Sequence, residues 1–235
     1  MSSMKNHPFL FLLLCFVFLF ITFHASHIKS VFSHELSAPK HYTVVIDPGH
    51  GGFDSGKVGV NGTLEKDVNL SIAKKLEQLL LASDIKVIMT RTTDTALNAT
   101  SSNNKKRQDM LQRSQLINNA NADCVVSIHQ NSYPDSTIDG AQVFYYTQSS
   151  DSKHLAALIQ QQLISQADPS NHRTEKANDN YYLLKKSASP MVIAECGFLS
   201  NPEESKKLVD DTYQQTLAWA IHLGILQYLN TMVSN

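Results

Sequence analysis

The sequence predicts an α/β fold: a single domain with a largely parallel, twisted sheet and helices on both faces. Two observations carry that reading. Short β-branched runs alternate with longer segments whose apolar residues recur at helical spacing, the pattern of buried strands covered by amphipathic helices. Four chemically useful side chains, His50, Arg91, His129 and Glu195, each follow such an apolar run. That is the end of the strands where open α/β sheets place their ligands.

Taken in order, the first strand is Thr43 to Ile46. It runs into Asp47-Pro48-Gly49-His50-Gly51-Gly52, a loop so rich in glycine that the backbone must turn sharply or approach something closely. A helix begins near Glu65, with Val68, Ile72, Leu76, Leu79 and Leu80 on one face. Ile85 to Met89 is a strand, Thr92 to Lys105 a polar loop, and Lys106 to Asn119 a helix. Cys124 to Ile128 and Gly140 to Tyr146 read as strands, and Ser152 to Gln166 as a helix. The polar stretch from Ala167 to Asn180 is expected to be mobile. Tyr181 to Leu184 and Met191 to Ala194 complete the strands, and Asp211 to Asn230 is the last helix.

Residues 42–235 form the expected domain. Ahead of it, Lys5 precedes an almost unbroken apolar run from Pro8 to Phe23, so residues 1–23 read as an export signal that can remain as a membrane anchor. Residues 24–41 lack apolar periodicity and read as a tether. The expected location is therefore outside the cytoplasmic membrane. A net charge of −1 gives no electrostatic case for nucleic acid. Cys15 lies in the apolar run, while Cys124 and Cys196 sit in or beside buried strands and read as small hydrophobes without a functional bridge.

Two histidines and a carboxylate suffice for a catalytic metal site with one open position, and His50, Glu65 and His129 supply them. His50 and Glu65 are fifteen residues apart, too far for one helix face, so the glycine-rich loop must bring them together. Glu195, after an apolar run, is placed to take a proton, since burial raises a carboxyl's pKa. Each residue alone has a blander reading: a hydrogen-bonded structural histidine, a helix-start charge for Glu65, a paired core carboxylate for Glu195. Two rivals are weaker. Gly51 to Lys57 matches a phosphate-binding loop, but Val58 stands where a hydroxyl belongs. Cys196 as a nucleophile lacks a following helix to lower its pKa.

Four blocks, Ile46 to Gly52, Leu64 to Leu70, Ser127 to Asn131 and Glu195 to Asn201, resemble the signatures of the zinc-dependent N-acetylmuramoyl-L-alanine amidases, in order from Tyr42 to Leu229. The resemblance implies that His50, Glu65 and His129 bind zinc and that Glu195 is the catalytic carboxylate. Asn131 and Arg173, and more weakly Lys176, would lie near the substrate groove. The implied reaction is hydrolysis of the amide between N-acetylmuramic acid and L-alanine in peptidoglycan. Ser127 to Ser132 and Gly140 to Tyr146 are similar to the spore-cortex amidases of germination, which prepare muramic δ-lactam. A general wall autolysin and a catalytically silent wall-binding protein are the alternatives. A site open at the sheet edge leaves room for a regulatory protein partner.

Overall fold

The computed structural model describes residues 41–97 and 104–232. The expected signal segment (1–23) and all but the last residue of the tether (24–41) lie outside the described residues. The elements run β1 (Thr43–Pro48), α1 (Glu65–Ala82), β2 (Lys86–Met89), α2 (Lys105–Asn119), β3 (Cys124–Asn131), β4 (Gln142–Tyr145) and α3 (Ser150–Gln162). A single π turn (Leu163–Ala167) follows, then β5 (Lys176–Ala177), α4 (Tyr182–Lys186), β6 (Met191–Phe198), α5 (Pro202–Lys207) and α6 (Asp211–Thr231).

The six strands form one sheet in the order β2-β1-β3-β6-β4-β5. The first four are mutually parallel, β4 runs antiparallel to β6, and β5 is parallel to β4. Successive strand side chains point to opposite faces, and here both faces are covered. Val44, Ile46, Val126 and Val192 pack with Leu76 of α1, Leu155 of α3 and Ile221 of α6. Val45, Val125 and Ile193 pack on the other face with Ile117 of α2 and Leu183 of α4. Two-sided cover is why the strands read as continuous apolar runs, with every residue of β6 buried.

The helix starts have local causes. Asn201 accepts from the amides of Glu203 and Glu204, with Pro202 in the first turn of α5. Asp210 caps α6 through the Tyr213 amide. Leu64, before α1, gives no side-chain cap, and the acidic Glu65 and Asp67 face the positive end of the helix instead.

Several expectations need correction. Tyr181 to Leu184 is no strand; α4 begins there. Consecutive strand residues point to opposite faces, whereas Leu183 and Leu184 are buried in one cluster, which a helical turn allows. The Asn178 side chain accepts from the amides of Asn180 and Tyr181 and turns the chain into that helix. Ala167 to Asn180 is tied down: Asn171 donates to the Ala141 carbonyl, and β5 pairs with Phe144 and Tyr145. The helix expected at Ser152 to Gln166 is α3, which begins at Ser150 behind a Ser149 cap and gives way to the π turn after Gln162. Strands β3 and β6 run to Asn131 and Phe198, so His129 and Glu195 lie inside their strands rather than after them.

Helices α3 and α6 meet at Gly224, where an added Cβ would lie 2.7 Å from the Ile159 Cα. Gly224→Ala therefore sets two effects against each other. Helix propensity favours Ala by roughly 1 kcal/mol, while overpacking against a backbone costs about 1–3 kcal/mol. The clash is with main chain and has no flexible end to yield, so urea denaturation should show net destabilisation.

Candidate metal centre and active site

The site is assembled at the carboxyl ends of β1, β3 and β6. After Pro48 the chain enters the glycine-rich loop, in which His50 adopts φ +62°, rare for a residue with a side chain. The loop closes on itself through a bridge between Gly51 and Asp54. That closure lets Asp54 Oδ2 accept from His50 Nδ1 at 2.9 Å, which leaves Nε2 facing inward, 3.2 Å from Glu65 Oε1. Gly49 must lack a side chain, because a Cβ there would sit 2.2 Å from the His129 ring.

His129 Nδ1 lies 2.9 Å from the same Glu65 oxygen. Glu65 is 2% exposed and is fixed by the amides of Lys57, at 2.7 Å to Oε2, and Gln130, at 3.1 Å to Oε1. Burial works to raise its pKa, yet hydrogen bonds and charge from His129 and His50 hold it well below the usual carboxylate range. Burial pulls His129 down, but Glu65 outweighs it and pushes the imidazole up to about 9.

One donor atom from each of His50, Glu65 and His129 lies within 4.8 Å of the others. The donor set fits a metal ion. With its Nδ1 proton given to Asp54, the lone pair on His50 Nε2 faces a carboxylate oxygen, and the two repel unless a proton or a cation sits between them. Asp54 beside His50 is the kind of outer carboxylate that would orient an imidazole toward an ion.

Glu195 stands beside this cluster, in register with His129 across the β3–β6 pairing and so on the same face of the sheet. Tyr181 donates to its Oε1 at 3.4 Å, while Oε2 is buried without a partner among the described residues. Burial pushes its pKa up to about 7, helped by the Glu65 charge and opposed by His129 and the Tyr181 hydrogen bond. A cavity of about 280 Å³ opens over these groups, lined by His50, His129 and Glu195 and walled by Met110, Tyr181 and Tyr182.

The other expected residues lie elsewhere. Asn131 accepts from the Ser132 amide and does not line the cavity. Arg173 donates to the Asp139 carbonyl, and its guanidinium sits 4.9 Å over the Phe198 ring. Lys176 is an exposed residue of β5. The rivals lose their ground: the Lys57 amide that a phosphate would need is bound to Glu65, and burial pushes the free Cys196 thiol far up.

Sequence reasoning missed the layer beneath the site. Asp47, at the end of β1, accepts from Arg113 Nη1 at 2.7 Å, Thr90 Oγ1 at 2.6 Å and Ser127 Oγ at 2.7 Å. Burial alone would raise the Asp47 pKa, but the Arg113 charge and the two hydroxyls hold it at about 2. Arg113 also donates to Asp109 at 2.7 Å and to the His50 carbonyl at 2.5 Å. The signals available were the helical four-residue spacing of Asp109 and Arg113 and, for Asp54, its place four residues after His50. Arg113→Met would leave the Asp47 charge buried and unpaired. The expected loss is about 3–5 kcal/mol, read by chemical denaturation.

Comparison with known proteins identifies the family. The N-acetylmuramoyl-L-alanine amidase family model (Amidase_3) matches residues 44–227. The germination-specific N-acetylmuramoyl-L-alanine amidase of Bacillus subtilis is 37% identical over 188 residues, covering 79% of this chain and 78% of its own. The CwlD amidase of Clostridioides difficile, solved in complex with the GerS lipoprotein, superposes with a TM-score of 0.79 at 42% identity, over 81% of this chain and 100% of that one. A second N-acetylmuramoyl-L-alanine amidase, from Clostridium difficile 630, gives 0.72 at 38% identity, over 81% and 97%. The chain belongs to the N-acetylmuramoyl-L-alanine amidase family.

Proposed function

We propose that this peptidoglycan amidase is zinc-dependent, with His50, Glu65 and His129 as ligands and Glu195 as general base, and that it acts outside the cytoplasmic membrane on spore-cortex peptidoglycan. The observation that carries the mechanism is the free, buried Oε2 of Glu195 beside a His–Glu–His cluster. Two imidazoles and one carboxylate with a fourth position left open suit zinc. When bound, the ion polarises the amide carbonyl and makes water a better nucleophile at neutral pH.

The chain's own groups do the rest. Asp54 keeps His50 in the tautomer that presents Nε2. The Lys57 and Gln130 amides hold Glu65 in place. Glu195 accepts the proton of the attacking water and returns it to the amide nitrogen, which leaves as the amino group of L-alanine. A carboxyl poised near 7 suits both halves of that transfer. Tyr181 steadies Oε1 and leaves Oε2 for the proton.

A silent wall-binding protein would need no such carboxylate. Mass spectrometry of digested peptidoglycan separates the readings: wild type should release stem peptides and stop when a chelator strips the metal. Glu195→Gln should lower kcat by about 10²- to 10⁴-fold while zinc content stays unchanged. Equal release by wild type and Glu195→Gln would sink the mechanism.

The pH dependence follows from the sign of the shift. Glu195 must be ionised to accept a proton, and its folded pKa is raised to about 7, so kcat/KM should fall as pH drops through that region. A cation in the cluster pulls the value down, placing the midpoint at or below about 7.

Similarity to the germination-specific amidase supports the cortex role; the corresponding observation is loss of muramic δ-lactam from spores of a deletion strain. The relative solved with a lipoprotein supports a protein partner for this chain as well. The apolar run from Pro8 to Phe23 supports export, with the option of a retained tether.

A further inference from the structure

Arg91 follows β2 at the ligand-bearing end of the sheet, yet it does not line the cavity and is 3% exposed. Its guanidinium donates to main-chain carbonyls. Nε reaches Pro48 at 2.9 Å and Nη1 reaches Thr93 at 3.1 Å. Nη2 is shared between Gly49 at 3.0 Å and Lys66 at 2.8 Å. Those acceptors are not scattered. Pro48 and Gly49 immediately precede His50, and Lys66 immediately follows Glu65. One nitrogen thus ties the histidine loop to the first turn of α1.

The arrangement is specific to this side chain. The Arg91 stem runs over Gly51, where a Cβ would come within 2.9 Å of its Cδ and Nε. No carboxylate among the described residues pairs with it, and burying a cation on neutral acceptors is unfavourable unless every proton finds a partner. Burial and the nearby Arg113 charge pull its pKa down to about 10. A lysine has its three donors on one nitrogen at the end of a flexible stem, and that single centre cannot reach acceptors that the guanidinium serves with three separate nitrogens. The loop would not come adrift without Arg91, since Asn69 still donates to Gly49 at 3.1 Å and Arg113 to the His50 carbonyl. Asn69 and Lys66 Nζ of α1 also reach the loop, at Gly49 and Gly52, so what would be lost is the tie that holds Gly49 and the Lys66 carbonyl against one nitrogen.

We propose that Arg91 is a positioning residue that sets the metal affinity of the site by fixing the separation of His50 and Glu65. This rests on the metal reading above. With that tie cut, the segments around His50 and Glu65 are less closely held, and the ordering that binding must then supply is subtracted from the affinity. Outer partners of metal ligands are typically worth about 10- to 100-fold in affinity.

The test titrates zinc into chelator-stripped full-length protein against a chromophoric competitor, for wild type, Arg91→Lys, Arg91→Gln, His50→Ala and Leu80→Ala. Leu80 is fully buried near the far end of α1, so its variant reports what lowered stability alone does to affinity. Wild type should take one zinc, His50→Ala should lose tight binding, and both Arg91 variants should bind about 10- to 100-fold more weakly. Excess zinc should restore their activity, and Leu80→Ala should keep wild-type affinity. Unchanged affinity in Arg91→Lys and Arg91→Gln overturns the inference. So does an equal loss in Leu80→Ala, because affinity would then follow stability. If neither Arg91 variant folds, Arg91 is a structural residue and the inference also falls. Failure of wild type to take zinc at all refutes the metal reading itself, an outcome distinct from the others.

Discussion

A carboxylate buried at the end of β1 has to be neutralised, and the group that does so also decides where the ligand loop goes. Asp47 is fully buried, and Arg113 reaches it from α2 across the face of the sheet. With its remaining donors the same guanidinium holds Asp109 and the carbonyls of Pro48 and His50. One side chain therefore joins strand, helix and loop. Replacing such a pair with apolar groups can be neutral for stability, so its value here lies in geometry. His50 sits at positive φ, and Arg113 holds its carbonyl in that loop conformation.

On that base the site separates two carboxylates by environment. Glu65 accepts two amides and faces two imidazoles, and it stays ionised despite burial. Glu195, in a strand buried on both faces, has only the Tyr181 hydroxyl as donor among the described residues, and its pKa rises. Titratable groups pushed apart in this way mark distinct roles: one fit to hold a cation, the other to carry a proton. The in-register pairing of His129 with Glu195 sets those roles side by side.

The layer order and the four central residues were legible from sequence because they depend on local pattern. Buried strands read as apolar runs; His50 follows one, Glu65 opens a helix, and His129 and Glu195 come straight after the apolar stretch of their own strands. What stayed hidden depends on contacts between distant segments. The Asp47–Arg113 pair joins residues sixty-six apart, and no periodicity announces it. Arg91 was noticed for its place at a strand end, but only the fold shows it turned away from the cavity. Tyr181 to Leu184 was misread because a short apolar run does not distinguish strand from helix, and that misreading concealed the tyrosine beside Glu195. Asn131 and Arg173 fell at plausible sequence positions, while the direction in which their side chains point is a property of the folded chain.

On the proposed reading, a strand-end loop, a helix start and a neighbouring strand surround one metal ion beside a proton-carrying carboxylate. X-ray diffraction from crystals grown with zinc, recorded on both sides of the zinc absorption edge, tests it most directly. The expected result is one strong anomalous peak bonded to His50 Nε2, a Glu65 oxygen and His129 Nδ1, with Glu195 close by but not coordinating. A peak held by other residues, or none at this cluster in zinc-saturated, active protein, would contradict it.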